Sequence, residues 1–401
     1  VLKGLSRIAK IQLFGLISLF AAWQSYQFAL SANLRVSDPE LALQRDPDDA
    51  IALAKVVKNK SREAEEYVSD AADTSRAIQS LIGNPLSRSS LRIIGMNESS
   101  AGDAQKAFAA MSLASKVSRR DTTAQVWLLE RAAADNDFEA ILRHYDAAMS
   151  VTPELGPVLQ PVMVDALKYQ DVRDAMVGYV NRQARWMPGF LSLASREAAL
   201  EDVINLTAPI AVALSAEEYE KSIARIIYRS AQDGDWEGAM DYAEAVWADF
   251  DAGAFSESAP NKTTLDKRLG LLAWELFEDN GIQASLDMNG GVQVTIRPLA
   301  RGTVVRRHIP VSGGQTYTLT QRVNFDGASG ARLAWRGDCV TTTASSRVWE
   351  QTLPSAARMT TYRSSLNIPE DCSILALSLE GNGADGQQNV YAKFDEISFV
   401  S

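Results

Sequence analysis

The hydrophobic period of the chain changes once along its length, and that change most limits what it can fold into. From about residue 38 to 250, Ala, Leu, Glu and Arg recur at helical spacing, with Pro and Gly falling between helices. After Gly281 the spacing becomes two. Val292–Ile296, Tyr317–Val323, Arg332–Trp335 and Ile374–Leu379 alternate as half-buried strands do, separated by turn clusters such as Asn289-Gly290-Gly291, Ser312-Gly313-Gly314 and Asp326-Gly327. A helical run followed by a run of strands at this length, 401 residues, reads as multidomain, α followed by all-β. Residues 251–280 have linker composition and then an amphipathic pattern. They predict a connecting helix over Leu265–Asp279, stopped by Asn280-Gly281.

Within the α region a phrase recurs. Gly102-Asp103-Ala104-Gln105-Lys106-Ala107 is followed 34 residues on by Asn136-Asp137-Phe138-Glu139-Ala140-Ile141, and after the same interval by Gln170-Asp171-Val172-Arg173-Asp174-Ala175. Gly234-Asp235-Trp236 restarts it. Asp137…Tyr145…Ala148…Pro153 completes a unit, and Pro47 and Pro85 close earlier ones. This stretch, 38–250, resembles the tetratricopeptide repeat, a helix–turn–helix unit stacked into an α-solenoid. The resemblance implies that Asp103, Asp137, Asp171 and Asp235 sit at the turns and that the array binds protein partners. An Asp there caps the second helix by accepting from its free N–H groups. Small residues (Ala107, Ala114, Ala148, Ala175) let helices approach. The Phe108–Met111 and Ala148-Met149 stretches read as core.

Residues 281–401 predict a β-sandwich. Gly314…Tyr317…Leu319, Ala334-Trp335 and Asp395-Glu396-Ile397 resemble carbohydrate-binding jelly-roll modules. Trp274, Trp335 and Phe325 are expected in the core, and Tyr317, Trp349 and Tyr362 are the candidates for a glycan platform. Cys339 and Cys372, the only cysteines, flank strands of this domain. They are expected to form one disulfide rather than two separate thiols.

Residues 1–37 hold Lys3, Arg7, Lys10 and Arg35, no acidic residue, and an apolar run over Ile11–Leu30. A helix of about 20 residues crosses a bilayer core. The expectation is therefore a single transmembrane anchor with a basic cytoplasmic stub. A cleaved signal peptide and an interfacial helix are the alternatives.

Composition removes several function classes. The 40 basic and 50 acidic residues leave a net charge of −10, which disfavours a nucleic-acid partner. With only His144, His308 and two cysteines, no metal or cofactor site is expected. Asp326, Asp338 and Asp395 lack ligand spacing, and no nucleophile or phosphate-loop motif appears. The whole layout resembles bacterial envelope proteins in which tetratricopeptide-like repeats assist polysaccharide synthesis or export, and that resemblance implies a non-catalytic protein of the bacterial inner membrane whose bulk is periplasmic. It would bind protein partners, and through the sandwich glycan, in envelope polysaccharide synthesis or export. The alternative is a structural subunit of a respiratory, photosynthetic or secretion complex, its sandwich docking protein.

Overall fold

The computed structural model describes residues 7–63, 69–255, 259–287, 291–326, 330–341, 344–385 and 388–401. Lys3, Ala64–Glu66, Asn289-Gly290 and Gly327 lie outside them. The chain is helical in its N-terminal part and an antiparallel β-sandwich in its C-terminal part, and divides into compact units Val1–Gly156 and Pro157–Ser401. The helices after residue 157 thus share a unit with the sandwich.

The first unit contains α1 (Arg7–Ser37), α2 (Pro39–Arg45), α3 (Ala50–Glu63), α4 (Ala71–Gly83), α5 (Arg88–Ser100), α6 (Ala104–Val117), α7 (Thr122–Ala134) and α8 (Phe138–Val151). Although α1 has 31 residues, no helix among the described residues is long and apolar enough to cross a membrane. Leu16, Phe20, Trp23 and Phe28 on α1 are exposed, and its end packs through Leu34 on the cluster around Leu43, Leu53 and Val56.

Aspartate organises this unit. Asp38, Asp49, Asp70, Asp103, Asp121 and Asp137 each accept from a backbone N–H of the helix they open. Three of them also receive a cation from a neighbouring helix, Asp70 from Lys60 at 3.7 Å. Arg35 Nε lies 2.6 Å from Asp49, and Arg92 Nη1 lies 3.2 Å from Asp121. Lys60 reaches the buried Asp73 at 3.1 Å. Such carboxylates are tolerable out of water because a cation matches each charge; Asp73 Oδ1, which accepts no hydrogen bond, has Arg76 3.8 Å away. At the α5–α6 contact, a Cβ on Gly95 would stand 2.9 Å from Met111 Cγ, so glycine sets how closely the two helices pack.

The second unit opens with α9 (Gly156–Asp165), whose first residue belongs to the preceding unit, then α10 (Gln170–Asn181), α11 (Met187–Glu197), α12 (Leu200–Thr207), α13 (Glu220–Gln232), α14 (Trp236–Val246) and the short α15 (Ala252–Phe255). The expected helix over Leu265–Asp279 does not form. A 3-10 segment, Lys267–Leu272, breaks at Gly270 (φ 55°), and the chain then extends into the sandwich. Only glycine adopts that conformation without strain. The sandwich therefore begins at Glu275, not at 281, and Trp274 enters its core.

Its strands are β1 (Glu275–Leu276), β2 (Glu278–Asp279), β3 (Ile282–Leu286), β4 (Val292–Ile296), β5 (Arg301–Pro310), β6 (Thr316–Asp326), β7 (Arg332–Val340), β8 (Ser345–Thr352), β9 (Ala356–Asn367), β10 (Ile374–Asn382) and β11 (Val390–Val400). They form two sheets, ordered β1-β5-β10-β7-β8 and β2-β3-β4-β11-β6-β9. The core between them holds Trp274, Trp335, Phe325 and Phe394, with Trp274 edge-on to Trp335 at 6.4 Å. Trp335 Nε1 donates to Gln321 Oε1 at 2.5 Å, so the buried indole keeps its hydrogen bond. Two outer strands, β1 and β2, are only two residues long. The other two, β8 and β9, carry Arg347, Glu350, Arg358 and Arg363 at exposed positions. Cys339 and Cys372 are bonded, Cα to Cα 5.7 Å, tying the end of β7 to the start of β10.

Within this unit helices and sandwich interlock. Tyr228 Oη and His308 Nδ1 are 2.9 Å apart, and Ser373 Oγ donates to the Gln232 carbonyl at 2.6 Å. The buried Arg307 donates to the carbonyls of Leu272 and Phe255.

Candidate functional site

The turn residues divide three to one. Before Asp103, Asp137 and Asp235 stand Gly102, Asn136 and Gly234, all at positive φ. In each case the Asp N–H closes back on the carbonyl five residues earlier (Glu98, Ala132, Ser230), while its side chain caps the next helix at 3.0 Å. One residue pair thus ends one helix and starts the next. Asp171 does none of this. It lies inside the first turn of α10, whose N-cap is Tyr169 with no side-chain cap. Gln170 occupies the place held elsewhere by Gly or Asn, and the helix begins two residues too early for Asp171 to cap it.

Nor do Tyr317, Trp349 and Tyr362 form a platform. All three are half-buried and pack on the sandwich core. Trp349 lies on β8 opposite Gly337, whereas Tyr362 lies in the other sheet opposite Gln321. Tyr317 stacks on Phe399 (4.9 Å, 9°), and its Oη accepts from the Ser312 N–H. With Trp236, Ile309 and Val311 it lines a cavity of about 250 Å³ between helices and sandwich. These rings share strand parity with core residues, and that places them inward.

The exposed aromatic of the sandwich is one that the sequence reading passed over, Tyr391 on β11, 59% exposed. Its cross-strand neighbour on β4 is Thr295, which in turn faces Gln283 on β3. One step along lies a second row, Ser285, Gln293, Lys393 and Asn324. Asn389 Nδ2 approaches Tyr391 Oη at 3.5 Å. Lys393 Nζ bonds Asp287 at 2.7 Å, which raises the ammonium pKa. Around Tyr391, whose opposite position on β6 is Asp326, the outer face of the six-stranded sheet thus carries amide and hydroxyl groups together with a charged pair, Lys393 and Asp287. It offers a stacking surface with donors and acceptors at its rim. The signal was present in the sequence: Tyr391 shares parity with Lys393, against Val390, Ala392 and Phe394.

Among the described residues no group of three or more His, Cys, Asp or Glu is placed to hold a metal. Asp338 pairs with Arg347 and Asp395 with Arg322, while the side chain of Asp326 lies outside the described residues. Burial and the nearby Arg306 lower the His308 pKa to about 4, so that the ring is neutral against Tyr228.

No family model and no curated protein matches the sequence. Among solved structures the neighbours are carbohydrate-binding-module β-sandwiches. One titled "CBM4 structure and function" is 17% identical, covering 35% of this chain and 99% of its own, with a TM-score of 0.28. "Family 16 Carbohydrate Binding Module-2" is 13% identical over 36% of this chain and 100% of its own, with a TM-score of 0.27. A module solved "in complex with beta-1,4-galactotriose" is 9% identical over 35% of this chain and 97% of its own, with a TM-score of 0.25.

Proposed function

We propose that this protein is a non-catalytic scaffold of an envelope polysaccharide synthesis or export assembly, held at the bacterial inner membrane with its bulk in the periplasm. In this reading the helical part is a tetratricopeptide-like array that engages protein partners, and the sandwich touches glycan. The observation that carries it is the outer face around Tyr391, an exposed ring with hydroxyl, amide and charged hydrogen-bonding groups beside it, which suits a pyranose ring and its hydroxyls. The exposed apolar residues of α1 and the Cys339–Cys372 bond accord with attachment at a membrane and an oxidising compartment.

The test is affinity purification of the full-length protein in gentle detergent, with mass spectrometry. Co-purifying glycosyltransferases, a polymerase or an exporter are expected. Stoichiometric respiratory, photosynthetic or secretion subunits would overturn the reading and make the sandwich a protein-docking domain. In affinity electrophoresis through a glucan gel, the unaltered protein should be retarded and Tyr391→Ala should not.

A further inference from the structure

A second concavity lies in the first unit, between α6, α7 and α8, with a volume of about 390 Å³. In a chain of net charge −10 its lining is cationic. Arg131 is matched by Asp135 through two hydrogen bonds, 2.9 and 3.0 Å. Lys116, Arg119 and Arg143, all exposed, enter no ion pair among the described residues. Phe108 forms part of the wall and is 51% exposed, whereas Met111 of the same helix is fully buried. It is therefore not the core residue that its spacing suggests.

One wall is prepared for hydroxyl groups. The buried Gln125 donates from Nε2 to Ser115 Oγ (3.0 Å) and to the Arg119 carbonyl (3.2 Å). Those bonds fix its Oε1 as the acceptor for His144 Nδ1 at 2.7 Å, and leave Nε2 of the ring as an acceptor. Burial, with Arg143 adding to it, lowers the His144 pKa to about 4, so the ring stays neutral near pH 7.

We propose that this pocket binds a carboxylated sugar, a hexuronate unit of an acidic saccharide. Its carboxylate would lie against Arg119, Arg143 and Lys116, a hydroxyl would donate to His144 Nε2, and its apolar ring face would rest on Phe108. Guanidinium groups match a carboxylate with paired donors. An acidic peptide is the competing occupant. It fits less well, because helix walls offer no strand edge for its main chain, and it has few groups that donate to a neutral imidazole nitrogen. The proposal deepens the glycan reading given above but uses a different unit of the molecule, so the two are separable.

The experiment is calorimetric titration of the full-length protein, and of Tyr391→Ala, with trigalacturonate, cellotriose and hexaglutamate. Trigalacturonate should bind both proteins, and cellotriose should bind Tyr391→Ala at least about tenfold more weakly than trigalacturonate does. Arg119→Ala/Arg143→Ala and Phe108→Ala change exposed side chains, so melting temperature should hold while the trigalacturonate Kd rises about tenfold or more. No binding of trigalacturonate, equal binding of cellotriose to Tyr391→Ala, tighter binding of hexaglutamate, or indifference to the Arg119/Arg143 change would each overturn the proposal. If Tyr391→Ala alone removed trigalacturonate binding, the pocket assignment would fail and the sandwich reading would stand.

Discussion

In the first helical unit, the groups that hold one another lie close in sequence: Lys60 and Asp73 are 13 residues apart, Arg92 and Asp121 29. In the sandwich, Thr303 reaches Glu380 across 77 residues and Arg322 reaches Asp395 across 73. A helical hairpin repays the entropy of its own ordering with contacts to the next hairpin, so this unit should open in pieces. No strand of the sandwich gains its core contacts until strands from both ends of the domain have met, so it should open as one. The division also separates what a substitution does: local in the first case, domain-wide in the second.

The largest expected effect tests that division in the sandwich. Trp335→Ala removes a fully buried indole and leaves Gln321 unpartnered, at a cost of about 4 kcal/mol. In hydrogen exchange monitored over the whole chain, protection should fall together across β6, β7, β10 and β11 and hold in α5–α8. Loss confined to β7 would break the comparison.

Next comes the Cys339–Cys372 bond, which closes a loop spanning 33 residues. Its removal by Cys339→Ser/Cys372→Ser should cost about 3.7 kcal/mol on the chain-entropy model. The denaturant midpoint of the sandwich should drop, with the helical signal of the first unit unchanged. A chain whose two signals shift together would instead have one cooperative unit.

The smallest effect sharpens the helical side. Asp103→Ala should cost about 1 kcal/mol, because it removes a cap, whereas Asp171→Ala, which removes none, should stay within about 0.5 kcal/mol. Equal losses in urea melts would mean that the two turns are alike after all.

Much of this was legible in the sequence, and the reasons differ by element. The Gly-Asp and Asn-Asp turns could be read because their hydrogen bonds join residues three to five apart, so the local phrase contains the whole interaction. The change of period located the sandwich, but the apolar run Leu269–Phe277 looks helical until Gly270 takes a positive φ, and only Trp274 meeting Trp335 shows where the sandwich starts. Parity along β6 and β11 places Tyr317 inward with Leu319 and Val323, and Tyr391 outward with Lys393. Aromatic type alone points to Tyr317, Trp349 and Tyr362, which are half-buried, whereas parity finds the exposed ring. The pocket on α6–α8 was not legible, since its lining residues come from three helices and their common opening is a product of packing.

The borders of the two sheets bear on how the molecule behaves among its own copies. An open β-sheet invites a neighbour to pair along its rim, and a row of such pairings is the beginning of a fibril. Here two rims are too short to template anything. The longer two bear Arg347 and Glu350, and Arg358 and Arg363, which a second strand would have to desolvate. The sandwich can therefore be crowded at high local concentration, as many copies in one assembly would require, without polymerising through its edges.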